Sequence, residues 1–282
     1  MARIEIAGLG IEYELLGNAG APAAVITPGG RYSKDAPGVR ELGEALVEAG
    51  GRVLLWDRPN CGASDISFDG DGESSLQARV LVELIRALDL GPTALVGGSA
   101  GARVSLFAAH QDPAIASHLV LWWISGGPLS LMRLGSAYCA ELAVEASVGG
   151  MEAVAAMPGW AEQIERNPRN RDIILQQDPR AFIARMERWG KGFVASETSP
   201  IPGWSREDFA RVAMPVMIFR GDPADLFHPA YICEQVQALL PNAELADAPW
   251  PGDIFARHMT SDGKFFVDWP LLAPAISSFL AR

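Results

Sequence analysis

Short, almost wholly apolar runs recur along the chain: Ala23-Ala24-Val25-Ile26, Arg52-Val53-Leu54-Leu55-Trp56, Thr93-Ala94-Leu95-Val96, His118-Leu119-Val120-Leu121-Trp122-Trp123-Ile124 and Pro215-Val216-Met217-Ile218-Phe219. Runs with no polar face read as strands buried on both sides, as in a parallel sheet. Between them the apolar period lengthens to that of a helix. Leu42, Ala45, Leu46 and Ala49 predict a helix over 39–49 that stops at the Gly50-Gly51 pair, and 74–90 reads as a long amphipathic helix with Ser74 or Ser75 as its N-cap. Further helices are predicted over 103–110, 230–240 and 271–280, with a last short strand over 243–246. At the N-terminus, 3–6 and 11–16 alternate apolar and polar residues around Gly8-Leu9-Gly10, the signature of a hairpin. Strands alternating with helices define an α/β fold with a doubly wound, mostly parallel sheet. From 126 to 202 that rhythm breaks. Helical patterns appear over 132–148, 151–157 and 179–189 without any β-type run, so 126–202 reads as a helical insertion into a core made of 1–125 and 203–282.

The chemistry concentrates at Gly97-Gly98-Ser99-Ala100-Gly101, which lies between a predicted strand and a predicted helix. A turn that sharp holds its central residue in a strained backbone conformation and needs small residues on either side. It exposes the Ser99 hydroxyl and aims the N-terminus of the following helix at any oxyanion formed on a substrate. An earlier strand ends in Thr27-Pro28-Gly29-Gly30-Arg31, a later one is followed by acids at Asp222 and Asp225, and His258 follows the last predicted strand. That order of serine, acid and histidine resembles the α/β-hydrolase family, and the resemblance covers nearly the whole chain. Asp57-Arg58-Pro59-Asn60-Cys61-Gly62-Ala63-Ser64 is similar to a loop of the same family and reads as a structural marker. The resemblance implies a helical cap over the serine, Ser99 as nucleophile, His258 as general base, and Gly30 and Ala100 N–H groups as the oxyanion hole.

The acid is Asp225 or Asp222. Asp222 is nearer the strand end; Asp225 precedes Pro229 by four residues, as in the family's Gly-x-x-Asp-x-x-x-Pro loop, and residues counted back from a proline keep their geometry better. Asp225 is therefore preferred, with Asp253 third. His110, inside a helix, and His118, at a strand start, read as packing or surface residues. In the insertion and just after it, Met132, Met151, Met157, Met186, Trp160, Trp189 and Trp204 supply apolar surface, and Arg31, Trp160 and Trp189 are the candidate substrate-pocket residues.

Composition narrows the class. The 282 residues are 49% hydrophobic and 20% charged, enough for a sizeable core, and the net charge of −11 argues against nucleic-acid or anionic-membrane partners. The three cysteines, Cys61, Cys139 and Cys233, are far apart and odd in number, which fits reduced thiols in a cytoplasmic protein. No export signal and no run long enough to span a membrane is read. No metal or organic cofactor is implied, and the oligomeric state is open. The leading reading is a serine hydrolase that cleaves an ester, or else a lactone, amide or ketone-activated C–C bond, in a small, largely apolar molecule. A cofactor-free oxygenase, perhydrolase or lyase on the same scaffold, and a slow-turnover ligand receptor, are the other classes.

Overall fold

The computed structural model describes residues 1–260 and 264–282. Its core is one eight-stranded sheet, in the order β1-β2-β4-β3-β5-β6-β7-β8. The strands are β1 (Ala2–Ile6), β2 (Leu9–Leu16), β3 (Ala23–Thr27), β4 (Arg52–Trp56), β5 (Thr93–Gly98), β6 (Ala116–Trp122), β7 (Val216–Arg220) and β8 (Ala243–Asp247). β1 and β2 form the predicted hairpin, β2 runs antiparallel to β4, and every other pairing is parallel. The apolar runs fill both faces by simple alternation. Val25, Leu54, Leu95, Leu119 and Ile218 enter one core, and their chain neighbours Ile26, Leu55, Val96, Val120 and Phe219 enter the other. Helices α2 (Glu73–Ala87), α3 (Ala100–Gln111) and α10 (Ala230–Leu239) cover the first face; α1 (Val39–Glu48) and α12 (Ala273–Leu280) cover the second.

Between β6 and β7 the described chain is helical: α4 (Pro128–Gly135), α5 (Glu141–Ala155), α6 (Ala161–Arg166), α7 (Arg169–Leu175), α8 (Pro179–Gly190) and α9 (Arg206–Arg211). The helices of this insertion build their own apolar cluster around Leu142, Val154, Trp160, Phe182, Met186 and Trp189. Ile66 and Phe68, from the loop after β4, complete it; Phe68 meets Trp160 and Phe182 edge-on, at ring distances of 5.8 and 4.9 Å. α11 (Ile254–Thr260) follows β8. α2 starts at Glu73, before the serines expected to cap it, because the Glu73 carboxylate is anchored in the first turn by Arg31 and Asn60.

The sheet order places the chemistry. From β3 the chain moves outward to β4 and then returns to β5 on the other side of β3, so the carboxyl ends of β3 and β5 form a topological switch point, where ligands bind in open α/β sheets. Thr27, the last residue of β3, is paired with Gly97. The approach there is so close that a Cβ on Gly101 would collide with the Thr27 carbonyl oxygen, and one on Gly97 would lie 2.6 Å from the Gly101 backbone. Gly101→Ala is expected to destabilise the protein by about 1–3 kcal/mol or more through overpacking against main chain that cannot yield. Differential scanning calorimetry checks it, at roughly 2–4 °C per kcal/mol for a chain of this size; an unchanged Tm refutes it.

Candidate active site

Ser99 sits between β5 and α3 with φ 56° and ψ −121°, a conformation costly for a residue with a Cβ. Two contacts hold it there. Its N–H donates to the Trp122 carbonyl at 3.1 Å, and its own carbonyl accepts from Arg103 N–H at 3.2 Å, starting the helix. A Cβ on Gly29 would lie 3.0 Å from Ser99 Cβ, so only glycine lets the β3 loop come this close. Gly30 and Ala100 line the same cleft as Ser99. Ala100 opens α3, so its N–H has no intrahelical acceptor, and Gly30 N–H makes no hydrogen bond among the described residues. Two free backbone donors therefore flank the hydroxyl. The Arg58 guanidinium braces this loop from beneath by donating to the Gly29 and Gly30 carbonyls at 3.3 and 2.6 Å. Asp57 holds the same region by accepting from Ser33 Oγ, Lys34 N and Ala63 N. The structural reading of the Asp57-Arg58 loop is thus accounted for contact by contact.

The histidine on Ser99 is His228, where the sequence reading pointed to His258. Its Nε2 lies 2.8 Å from Ser99 Oγ, and its Nδ1 lies 2.8 Å from Asp225 Oδ2. The loop after β7 makes this possible within three residues. Asp225 N–H donates back to the Asp222 carbonyl, and Asp225 Oδ1 accepts from Phe227 N and His228 N at 2.7 and 3.0 Å, which curls the chain until the imidazole faces β5. Burial pushes the Asp225 carboxyl up, but hydrogen bonding and charge from His228, with the two backbone donors, outweigh it and hold the group below the usual carboxylate range. With Asp225 ionised, Nδ1 is the protonated nitrogen, so it donates to Asp225 and leaves the Nε2 lone pair to accept from the Ser99 hydroxyl. Trp123, itself at φ 49° just beyond β6, stacks on the His228 ring at 5.9 Å and 24°.

His258 lies elsewhere for a physical reason. The chain after β8 folds into α11, which buries His258 against Trp123, in T-shaped contact at 5.2 Å, with Nε2 3.7 Å from Asp268 Oδ2. Asp222, the alternative acid, has a different task. Its Oδ2 accepts from Phe255 N in the first turn of α11 and its Oδ1 from Ala224 N, so it ties the β7 loop to that helix. The pocket residues are also redistributed. Trp160 and Trp189 are buried inside the cap cluster, and Arg31 pairs with Glu73 beneath the rings of Trp160 and Tyr138, at 4.3 and 4.7 Å. The cleft beside Ser99 is lined instead by Glu73, Arg103, Ser125, Leu134, Tyr138 and Phe193 among others, a more polar set than the sequence suggested, and its volume is about 40 Å³. The signal for His228 was present in the sequence: an imidazole three residues after the preferred acid, in a loop at the carboxyl end of a sheet strand.

These features coincide with those of a known family. The sequence profile described as the alpha/beta hydrolase fold matches residues 25–178, more than half of the chain, and the chain belongs to that family of enzymes. Among curated proteins it is similar to the 2-hydroxy-6-oxononadienedioate/2-hydroxy-6-oxononatrienedioate hydrolase of Escherichia coli, with 36% identity over 88 residues, a match that spans only 31% of each chain. Among solved structures it is similar to an alpha/beta hydrolase enzyme from a Medee basin deep-sea metagenome library (TM-score 0.61, 19% identity, 100% of this chain and 98% of that one). It is also similar to the enol-lactonase of Burkholderia xenovorans LB400 (TM-score 0.60, 16% identity, all of both chains). Those structural likenesses establish the fold. Among the described residues no helix is long and apolar enough to cross a membrane.

Two outcomes separate the residues whose roles have changed. Burial lowers the His258 pKa more than Asp268 raises it, so the folded protein keeps this imidazole neutral to a lower pH than the unfolded chain does. Below the unfolded value of about 6.5 the unfolded state takes up the proton first, and stability falls as pH drops from there through the depressed folded value. The acid-side slope of Tm against pH should therefore be shallower in His258→Gln than in the wild type, and equal slopes refute this. Asp222→Asn should lower Tm by weakening the tie to α11, an effect of about 0.5–2 kcal/mol by analogy with helix caps, while Asp225→Asn should act chiefly on turnover.

Proposed function

We propose that the protein is a serine hydrolase in which Ser99 attacks a carbonyl carbon, His228 takes the serine proton, and Asp225 orients and stabilises the imidazolium. The observation that carries this reading is the continuous chain Ser99 Oγ, His228 Nε2, His228 Nδ1 and Asp225 Oδ2, with 2.8 Å at both hydrogen bonds. The Gly30 and Ala100 N–H groups, together with the positive end of α3, take the oxyanion of the tetrahedral intermediate. His228 then returns the proton to the leaving group, the acyl-enzyme forms, and a water activated by the same imidazole releases the acid. Serine, acid and base keep the chain order of the family even though acid and base are only three residues apart.

The small cleft supports a small substrate, and the reaction is hydrolysis at an activated carbonyl: an ester first, with a lactone or a ketone-activated C–C bond within reach of the same groups. The likeness to the Escherichia coli hydrolase supports including the last of these. The helical span 126–202 acts as a cap, since Leu134, Tyr138 and Phe193 from it close over the cleft. The three buried, free cysteines support a reducing, cytoplasmic setting.

A fluorophosphonate probe should label Ser99, as located by peptide mapping. On a panel of short-chain esters, Ser99→Ala and His228→Gln should each lose at least about a thousandfold in kcat/KM. Asp225→Asn should lose about ten-thousandfold, since its amide holds the wrong imidazole tautomer. His258→Gln should stay within about tenfold of wild type. Loss in His258→Gln with retention in His228→Gln reverses the assignment of the base.

A further inference from the structure

Arg103 follows the strand-to-helix turn at Ser99. It lies on α3 four residues after Ser99, one helical turn along and on the same face, and it lines the same cleft. The residue is only 8% exposed. Its Nη2 donates to the Gly192 carbonyl at 2.6 Å, and its guanidinium lies 5.3 and 5.4 Å from the rings of Phe107 and Phe193. Nε and Nη1 are buried without a hydrogen-bond partner, and Arg103 forms no ion pair among the described residues. Burial, with no neighbouring carboxylate to oppose it, lowers the guanidinium pKa to about 10, still above neutrality. A buried cation with idle donors is a costly arrangement in a folded protein.

The other charges near the cleft do not resolve it. Glu73 also lines the cleft, but both of its oxygens are taken: Arg31 Nε donates to Oε1 at 3.0 Å and Arg31 Nη2 to Oε2 at 3.3 Å, while Asn60 Nδ2 adds a bond of 2.8 Å to Oε1. Glu73 and Arg31 therefore compensate each other, and Arg103 is the one uncompensated charge in the lining. Tyr138, on the cap side, has its phenol pushed up to about 12 by burial and so remains a hydrogen-bond donor. The wall of the cleft thus holds a buried cation two of whose nitrogens have no hydrogen-bond partner.

We propose that Arg103 is a specificity-determining residue that binds a carboxylate on the substrate, so that the enzyme acts on the monoester or equivalent acyl derivative of a short dicarboxylic acid. A guanidinium takes the two oxygens of a carboxylate along one edge, Nε with Nη2 or Nη1 with Nη2, so the bound carboxylate would share Nη2 with the Gly192 carbonyl and be fixed in orientation as well as affinity. The second role of Arg103 is visible in the bond to Gly192, which joins the cap to α3 and places the cap over a substrate whose charge is engaged. This inference rests on the hydrolase reading above for its catalytic form, but the binding it claims is independent of turnover.

The test compares monomethyl glutarate with methyl valerate as substrates, at low ionic strength, for the wild type, Arg103→Gln and Arg103→Lys. The wild type should favour the charged ester, and the ratio of kcat/KM for charged over neutral ester should fall about 10- to 150-fold in Arg103→Gln, the range for a lost charge-assisted hydrogen bond. Arg103→Lys should retain an intermediate ratio. If Arg103 merely anchors the cap, both esters lose equally and the ratio holds, which overturns the proposal. The wild type alone supplies a second measurement that needs no variant to fold: glutarate should bind in calorimetry and protect Ser99 from the fluorophosphonate, whereas glutaramide should do neither, and equal behaviour of the two overturns the proposal. Cleavage of neither ester, with glutarate binding intact, would count against the hydrolase reading and leave the carboxylate site standing.

Discussion

The structure depends on one close approach, where the strand-to-helix turn at Ser99 presses against the end of β3. Gly101 sits against the Thr27 carbonyl and Gly29 against Ser99 Cβ, so three pieces of main chain share a space that admits no side-chain atoms. Ser99 holds its positive-φ conformation at that contact, Gly30 and Ala100 line the cleft with it, and α3 starts there with its N-terminus. The apolar packing on both faces of the sheet supplies the energy that holds this strain. Because β3 and β5 are neighbours at the switch point, strained turn and glycine loop meet without any long excursion of the chain.

Around that point the charged groups are arranged in opposite ways. Asp225 and His228 form a hydrogen-bonded line that ends on Ser99, with Trp123 against one face of the ring and His258 edge-on to the same indole. Glu73, Arg31 and Asn60 neutralise one another. Arg58 Nη2 bonds the Gly29 and Gly30 carbonyls, while its Nε and Nη1, like those of Arg103, are buried without a hydrogen-bond partner; the Gly29 carbonyl belongs to the same peptide as Gly30 N–H, so Arg58 polarises one of the proposed oxyanion donors. Of the two charged residues that line the cleft, Glu73 and Arg103, Arg103 is the one with unpartnered nitrogens. The proposed carboxylate site rests on a buried, incompletely bonded cation one helical turn from Ser99.

Local pattern determined much of this protein. Apolar runs marked the central strands because a strand buried on both faces has no polar position to interrupt it, and glycine spacing marked the elbow because only small residues tolerate that turn. Asp225, which contacts the histidine on Ser99, was singled out in the sequence by its distance to Pro229, since a fixed φ preserves spacing over a few residues. The histidine placed on Ser99 was not legible in this way. The choice between His228 and His258 depends on how two loops fold back over the sheet: the Asp225 carboxylate curls its own loop through Phe227 N and His228 N, while α11 carries His258 against Trp123. The pocket was hidden for a related reason. Large apolar residues of the cap satisfy their burial in one another, so Trp160 and Trp189 became cap core, and the cleft fell to residues such as Arg103 and Tyr138, whose position depends on the docking of cap on core. Periodicity reports which face of an element is buried, whereas which side chains meet across loops is decided by long-range packing that no local spacing encodes.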